Sequence, residues 1–312
     1  MADFEIHQYD VVVVGAGGAG LRASIEASAA GARTALVCKS LLGKAHTVMA
    51  EGGIAAAMGN VYPEDNWKVH FRDTMRGGKM MNNWRMAQIH AQEAPERVHE
   101  LESWGALFDR TDDGRILQRD FGGHRYARLA HVGDRTGLEM IRTLQNNAVH
   151  RGIDVFMECT ITRLLTSEAG ISGAFGYWRE SGRFVAFSAP AVVLATGGIG
   201  KAFKVTSNSW EYTGDGHFLA LAAGADLIDM EFVQYDPAVL KDRRLALSPL
   251  LLTRCVSQKD GSLKLDGSLE GSEADRRFPD TVHRVRALAG LDLLNDSIPV
   301  EPAMSRLLGG IA

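Results

Sequence analysis

Val11, Val12, Val13 and Val14 form an unbroken β-branched run, the pattern of a strand buried on both faces of a parallel sheet. Six glycine- and alanine-rich positions follow. The alanine-rich LRASIEASAA then predicts a helix closed by Gly31, and residues 34–38 read as a second strand. Residues 66–105 predict two helical pieces that break at Gly77-Gly78. The second opens on an Asn cap and repeats Trp84, Ile89, Val98 and Leu101 at helical spacing. Pro95 is expected to kink it or to begin a new helix, and His90 and His99 read as surface or boundary histidines. Asp112-Asp113-Gly114 suits a tight turn, and Thr136-Gly137 starts a helix to about Val149. IDVFMECTITRLLT and ISGAFGYW read as strands, the latter leading into a hairpin with Glu180-Ser181-Gly182 at its turn. AVVLATGGIG, residues 191–200, repeats the opening logic of an apolar strand and a glycine turn. The whole predicts an α/β fold: a Rossmann-like parallel sheet with helical and β-hairpin insertions.

Gly15, Gly17 and Gly20 supply a GxGxxG turn between strand and helix. The first glycine permits the tight turn, the second lets backbone approach a pyrophosphate, and the third lets helix pack on strand. An acidic residue to hold a ribose is expected roughly 20 positions later. Cys38-Lys39-Ser40 stands there instead, so the ribose is held differently, which argues against NAD. Two strand-to-glycine turns in one chain favour a two-part cofactor such as FAD over a mononucleotide. Asp215 lies between glycines just before a helical stretch, where a carboxylate either caps the helix or bonds a cofactor hydroxyl. His46-Thr47, in a Gly/Ala-rich loop, is either reactive or simply bonded to backbone.

With 312 residues the chain has room for one large or two ordinary domains. Its net charge of −4 provides no basic field for nucleic acid. Cys38, Cys159 and Cys255 are scattered, which fits a reducing compartment and indicates neither a metal site nor a disulfide framework. The opening MADFEIHQYD is too polar for a signal peptide. No apolar run approaches the ~20 residues of a membrane span, so membrane contact is expected only through a partner. Residues 109–140 are expected as a long, weakly structured loop. Its Arg, His and Gly suit either an anion between domains or a solvated network of salt bridges.

Taken together, YDVVVVGAGGAGLRASIEA, KAHTVMAEGGIAAAMGN, RDFGGH, AHVGDRTG, AVVLATGGIGK and NSWEYTGDGHFLALAAGA resemble the flavoprotein subunit of succinate dehydrogenase or fumarate reductase, actinobacterial type, over residues 8–234. The resemblance implies an FAD-binding domain over residues 1–235 and a truncated, vestigial capping and substrate region over residues 236–312. It implies cofactor contacts at Gly15, Ala16, Gly17, Gly18, Ala19, Gly20, Lys39, His46, Thr47, Gly52, Gly53, Thr196, Gly197, Gly198 and Asp215. His46 matches the histidine that carries the covalent flavin bond in the membrane-bound complexes. Phe121, Gly122, Gly123 and Thr253 match the dicarboxylate side. Implied partners are membrane-anchor subunits and an iron–sulfur subunit, which would place the chain in the cytoplasm, on the periphery of the inner membrane's cytoplasmic face.

Past Gln234 the pattern departs. The family's FHPTG is Tyr235-Asp236-Pro237-Ala238-Val239 here, so Asp236 replaces a substrate-binding histidine. In the family's LVTEG motif Thr253 is kept and Arg254 replaces the carboxylate. A later histidine and tyrosine are Ser305 and Arg306, and no residue matches the family's proton-transfer arginine. Residues 261–278, rich in Gly, Ser and charge, read as a flexible connector. Two other readings therefore stay open: a non-catalytic FAD-binding remnant, and a soluble flavoenzyme similar to L-aspartate oxidase.

Overall fold

The computed structural model describes residues 4–120, 123–204, 206, 208–231, 255–257, 262–265 and 298–299. Strand β1 (Glu5–Gln8) precedes β2 (Val11–Val14), helix α1 (Gly18–Ala29) and β3 (Thr34–Val37). After β4 (Ile54–Ala55) come α2 (Trp67–Gly77) and α3 (Trp84–Ser103). Short strands β5 (Gln118–Arg119) and β6 (Leu129–Ala130) lead to α4 (Thr136–His150). Four strands follow: β7 (Asp154–Phe156), β8 (Cys159–Ser167), β9 (Gly170–Trp178) and β10 (Phe184–Ser188). Strand β11 (Ala191–Leu194) and helix α5 (Asp215–Ala222) complete this part.

The central sheet is parallel, in the order β11-β2-β3-β7. Its alternation decides the two cores. Val12, Val14, Ala35 and Val37 pack with Cys159, Ala174, Val185 and Phe187 of the β1-β10-β9-β8 sheet. Val13 and Leu36 face the other way, onto Leu21, Ile25, Val98, Ile141 and Leu144 of three helices. Val12 and Val13 are both fully buried, as a strand covered on two faces requires. Each such side chain removed from water contributes about 1.5–3 kcal/mol as an upper bound.

Helix starts follow local chemistry. The Asn66 side chain accepts from the amides of Lys68 and Val69, and Asn83 from those of Arg85 and Met86, each satisfying donors that a first turn leaves open. The expected face of α3 is partly corrected. Val98 and Leu101 are buried, but Trp84 and Ile89 are exposed, and the stripe is completed by Ala87, Ala91 and Ala94. Trp84 starts the helix, outside the packed stretch, and Ile89 lies off the stripe. Pro95 begins no new helix: α3 runs through it, because a proline removes one amide donor while the apolar stripe continues on both sides.

Residues 109–140 are more ordered than expected. Strands β5 and β6 join β4 in a small antiparallel sheet, and a bridge between Arg110 and Ile116 closes the turn at Asp112-Asp113-Gly114. Neither an anion site nor a solvated network describes Arg128. It is fully buried, with its guanidinium 2.8 Å from Asp65 and 2.9 Å from Asp73, both buried too. Its charge is neutralised inside the fold, pinning this segment to the start of α2 and to its second turn.

The chain divides into two units, Met1–Ala202 with Asn208–Ile228, and Phe203–Ser207 with Asp229–Ala312. In the second, β12 (Cys255–Ser257), β13 (Ser262–Leu265) and β14 (Ile298–Pro299) form an antiparallel sheet in that order. The expected connector at residues 261–278 thus contains a strand. Its Ser-Leu-Lys-Leu alternates polar and apolar positions, a period of two.

Candidate cofactor site

The register of the central sheet builds the site. Val14 ends level with Leu194 on one side and Val37 on the other, so the chain turns after β2 and β11 at the same edge. The turns are stitched together: the Gly15 amide donates to the Val37 carbonyl and the Ala195 amide to that of Val14, both at 2.8 Å. Gly15 has φ of +110°, and a Cβ there would run into the Ala195 carbonyl. Only glycine satisfies both demands. Gly20 in turn packs its bare Cα against the Gly15 carbonyl, seating α1 on the strand.

Helix α1 opens on Gly17 with no side-chain cap, and its first turn carries no acid. The Gly18 amide donates to the Thr47 hydroxyl at 3.2 Å. The positive end of the helix therefore faces the cleft beside Ala16 and Ala19 without a fixed negative charge, which suits a pyrophosphate.

Across the cleft, Lys39 takes the place where a ribose-binding acid was expected. Its ammonium donates to Asp215 at 2.7 Å and to the Thr213 hydroxyl at 2.6 Å. Burial pushes the Asp215 carboxyl up, but bonds from Lys39 and Thr213 outweigh it and hold the group below its ordinary range. The cap position of α5 is Gly214, not Asp215. The Asp215 carboxylate turns to Lys39 and the cleft. Cys38 and Cys159 also line this end, and burial pushes each thiol up to about 12, so neither is a nucleophile at neutral pH.

His46 stands on the opposite wall in the short 3-10 turn His46–Met49. That turn is clamped by the start of α4. The Gly137 amide donates to the Ala50 carbonyl at 2.8 Å, and a Cβ on Gly137 would run into the Thr47 carbonyl. His46 Nδ1 accepts from the Ser209 amide at 3.2 Å, while burial lowers its pKa. The imidazole is thus neutral, with its hydrogen on Nε2. The backbone-bonded reading of this histidine is the one observed, and the same side chain also lines the cleft.

Of the residues singled out from the sequence, Gly15, Ala16, Gly17, Gly18, Ala19, Lys39, His46, Thr47, Thr196, Gly197 and Asp215 line this one cleft. Gly198 lies under the Tyr212 ring, 3.4 Å from where its Cβ would be. Gly52 and Gly53 are not among the residues lining the cleft. The Gly52 carbonyl accepts from Arg119 Nε at 2.7 Å, and Gly53 packs against Leu129 and Ala130 of β6. Gly123 is exposed. Phe121, Gly122 and Thr253, with Asp236, Arg254, Ser305 and Arg306, lie outside the described residues. Sequence reasoning missed Thr213, Ser209, Glu211 and Tyr212. Only Thr213, two positions before Asp215, carried a local signal, as a short hydroxyl beside a carboxylate.

A parallel sheet whose adjacent strands end in two glycine turns over one elongated cleft defines an FAD-binding α/β protein. The chain belongs to the FAD binding domain family, whose model matches residues 10–268, and its cofactor is FAD. It is 47% identical over 234 residues to a subunit of the CoM/CoB fumarate reductase of Methanothermobacter marburgensis, covering 75% of this chain and 43% of that protein. It is 36% identical to the mitochondrial succinate dehydrogenase [ubiquinone] flavoprotein subunit of Oryza sativa subsp. japonica, over 97% of this chain and 48% of the relative. Among solved structures, Mycobacterium smegmatis Sdh1 in complex with UQ1 superposes with a TM-score of 0.74 and 50% identity, covering 95% of this chain and 58% of that one. The chain thus spans about half the length of the curated relatives it matches. Among the described residues no helix is long and apolar enough to cross a membrane.

Proposed function

We propose that this chain is the FAD-carrying part of a succinate dehydrogenase or fumarate reductase flavoprotein subunit, exchanging electrons with a dicarboxylate and an iron–sulfur partner. The reading extends to anchor subunits that hold the assembly at the cytoplasmic face of a membrane. One observation carries it: the two glycine turns, the uncapped start of α1, the Lys39–Asp215 pair and His46 surround a single cleft. Each part matches one part of the cofactor. The positive end of α1, where the Gly18 amide meets only the neutral Thr47 hydroxyl, suits the pyrophosphate, and Asp215 offers an acceptor for a ribose hydroxyl. His46 is fixed through Nδ1, so Nε2 is the ring nitrogen left for a flavin bond, and it would give up its proton in forming one. When bound, FAD supplies a two-electron acceptor for oxidation of a C–C bond, and a covalent histidine raises its potential.

The relatives' names support this reading over other FAD chemistries. The test is flavin loading of the purified chain followed by a denaturing gel. Flavin fluorescence that stays with the polypeptide, and is lost in His46→Ala, is expected. Flavin that always washes out would count against the covalent, membrane-complex type and favour the L-aspartate oxidase-like alternative.

A second reading rests on Asp236 and Ser305 standing where the family carries histidines. An added carboxylate repels a dicarboxylate, so this protein would bind FAD without turnover. Succinate-dependent dye reduction by fully flavin-loaded protein decides between them. Turnover removes the second reading, and full occupancy without turnover removes the first for this chain.

A further inference from the structure

Tyr212 lies where the cleft's two walls approach each other, and nothing in the sequence marked it. Its backbone is held on both sides: the amide donates to the Ser209 carbonyl at 3.1 Å, and the carbonyl accepts from the Lys201 amide at 2.8 Å. The ring centroid is 4.5 Å from that of His46, at an interplanar angle of 53°. The same ring is pressed against the bare Cα of Gly197, where any Cβ would collide with it. A half-buried phenol thus bridges the glycine turn after β11 and the histidine opposite. Among the described residues that line the cleft, Tyr212 is the one tyrosine or tryptophan.

We infer that Tyr212 is a further flavin-contact residue, an aromatic wall at the His46 end of the cleft on which the cofactor's ring system rests. The inference builds on FAD as the cofactor. Any flat heterocycle that reaches both Gly197 and His46 must meet the ring that joins them, and aromatic rings in contact prefer offset or edge-to-face arrangements. The alternative is a wedge that merely spaces Gly197 from His46. A chemical property separates the two. A phenol touching an excited flavin passes one electron to it, and the electron returns at once, so fluorescence is quenched with no net oxidation. A phenylalanine keeps the packing but gives up no electron.

The experiment compares the parent, Tyr212→Phe, Tyr212→Trp and Tyr212→Leu after loading with FAD. Absorbance measures bound flavin, and fluorescence is read per flavin bound. Fluorescence is expected to rise several-fold in Tyr212→Phe and Tyr212→Leu and to stay low in Tyr212→Trp. In a His46→Ala background, where no covalent bond holds the flavin, the dissociation constant should weaken roughly two- to tenfold in Tyr212→Leu and change little in Tyr212→Phe. Full flavin occupancy with equal quenching in parent and Tyr212→Phe would overturn this inference alone. So would tighter binding by Tyr212→Leu, since Tyr212 would then be occupying the flavin's place. A parent that takes up no FAD would overturn the cofactor assignment together with it.

Discussion

The Lys39 ammonium lies 2.7 Å from a carboxylate oxygen of Asp215, although 176 positions separate the two in the chain. The pair answers what the glycine motif left open. Where a dinucleotide fold commonly places an acid at the end of the second strand, this protein places a lysine and brings the acid from the start of α5. The lysine holds that carboxylate ionised, so two distant segments bring one charged pair to the cleft.

Asp215→Asn is accordingly predicted to weaken FAD binding roughly 10- to 100-fold, the range of a lost charge-assisted hydrogen bond. Lys39→Met should weaken it less, and the double variant should cost less than the sum of the two. Fluorescence titration with FAD checks this. Strictly additive effects would show that the two residues act separately. Because the Asp215 pKa is depressed in the fold, its ion pair is complete above the ordinary carboxylate range. The pair is lost as pH falls through the folded value, and FAD affinity should fall in the same direction.

Gly15→Ala is predicted to fail on two counts, since φ is +110° and the added Cβ meets the Ala195 carbonyl. The strained backbone costs of order 1–3 kcal/mol and the overpacking about as much again. Thermal unfolding should show a clearly lower midpoint, and FAD uptake should be abolished. A variant of parental stability that still binds FAD would refute the close contact between the two glycine turns.

Arg128 is fully buried between Asp65 and Asp73. Arg128→Leu would leave buried Asp65 without its counter-charge and Asp73 with only the exposed Arg76, at a cost of about 3–5 kcal/mol. Urea denaturation measures it, and a loss below about 1 kcal/mol would mean that water reaches the cluster. Lysine is expected to rescue poorly, because it cannot reproduce the two-pronged contact with Asp65.

His70 supplies the pH dependence. It is 1% exposed, and burial first, then Arg128, His90 and His124, lower its pKa from 6.5 to about 4. Between those values the unfolded chain binds a proton that the fold refuses, so stability decreases as pH falls from about 6.5 to about 4 and levels off below. The full effect is about 3 kcal/mol. His70→Gln should flatten this part of the stability–pH curve, and an unchanged slope would show that another group carries it.

Much of this architecture was legible before any coordinates. Val11 to Val14, the glycine turn, α1, the asparagine cap at the start of α3 and the hairpin at residues 180–182 all follow from spacing and steric demands within a few residues. Such signals are local, so neighbouring positions alone determine them. The family resemblance placed His46 and Asp215 at the cofactor, but the residues themselves left two meanings open for each. The structure supplied each with a partner from elsewhere in the chain: Ser209 for His46, Lys39 for Asp215.

The chain's own pattern therefore determined the strands and helices of the central sheet with their glycine turns, though not the short strands β5, β6 and β13, and that a pyrophosphate-bearing cofactor would be held. Only the tertiary structure decided which charges are neutralised internally, as at Arg128, which apolar residues stay in solvent, as at Trp84, and that Tyr212 would stand beside His46. The reason is that a strand or a cap depends on contacts a few residues away. A buried charge or a cleft wall depends on tertiary packing, which brings together residues distant in the chain, 63 positions apart for Arg128 and Asp65 and 163 for Ser209 and His46.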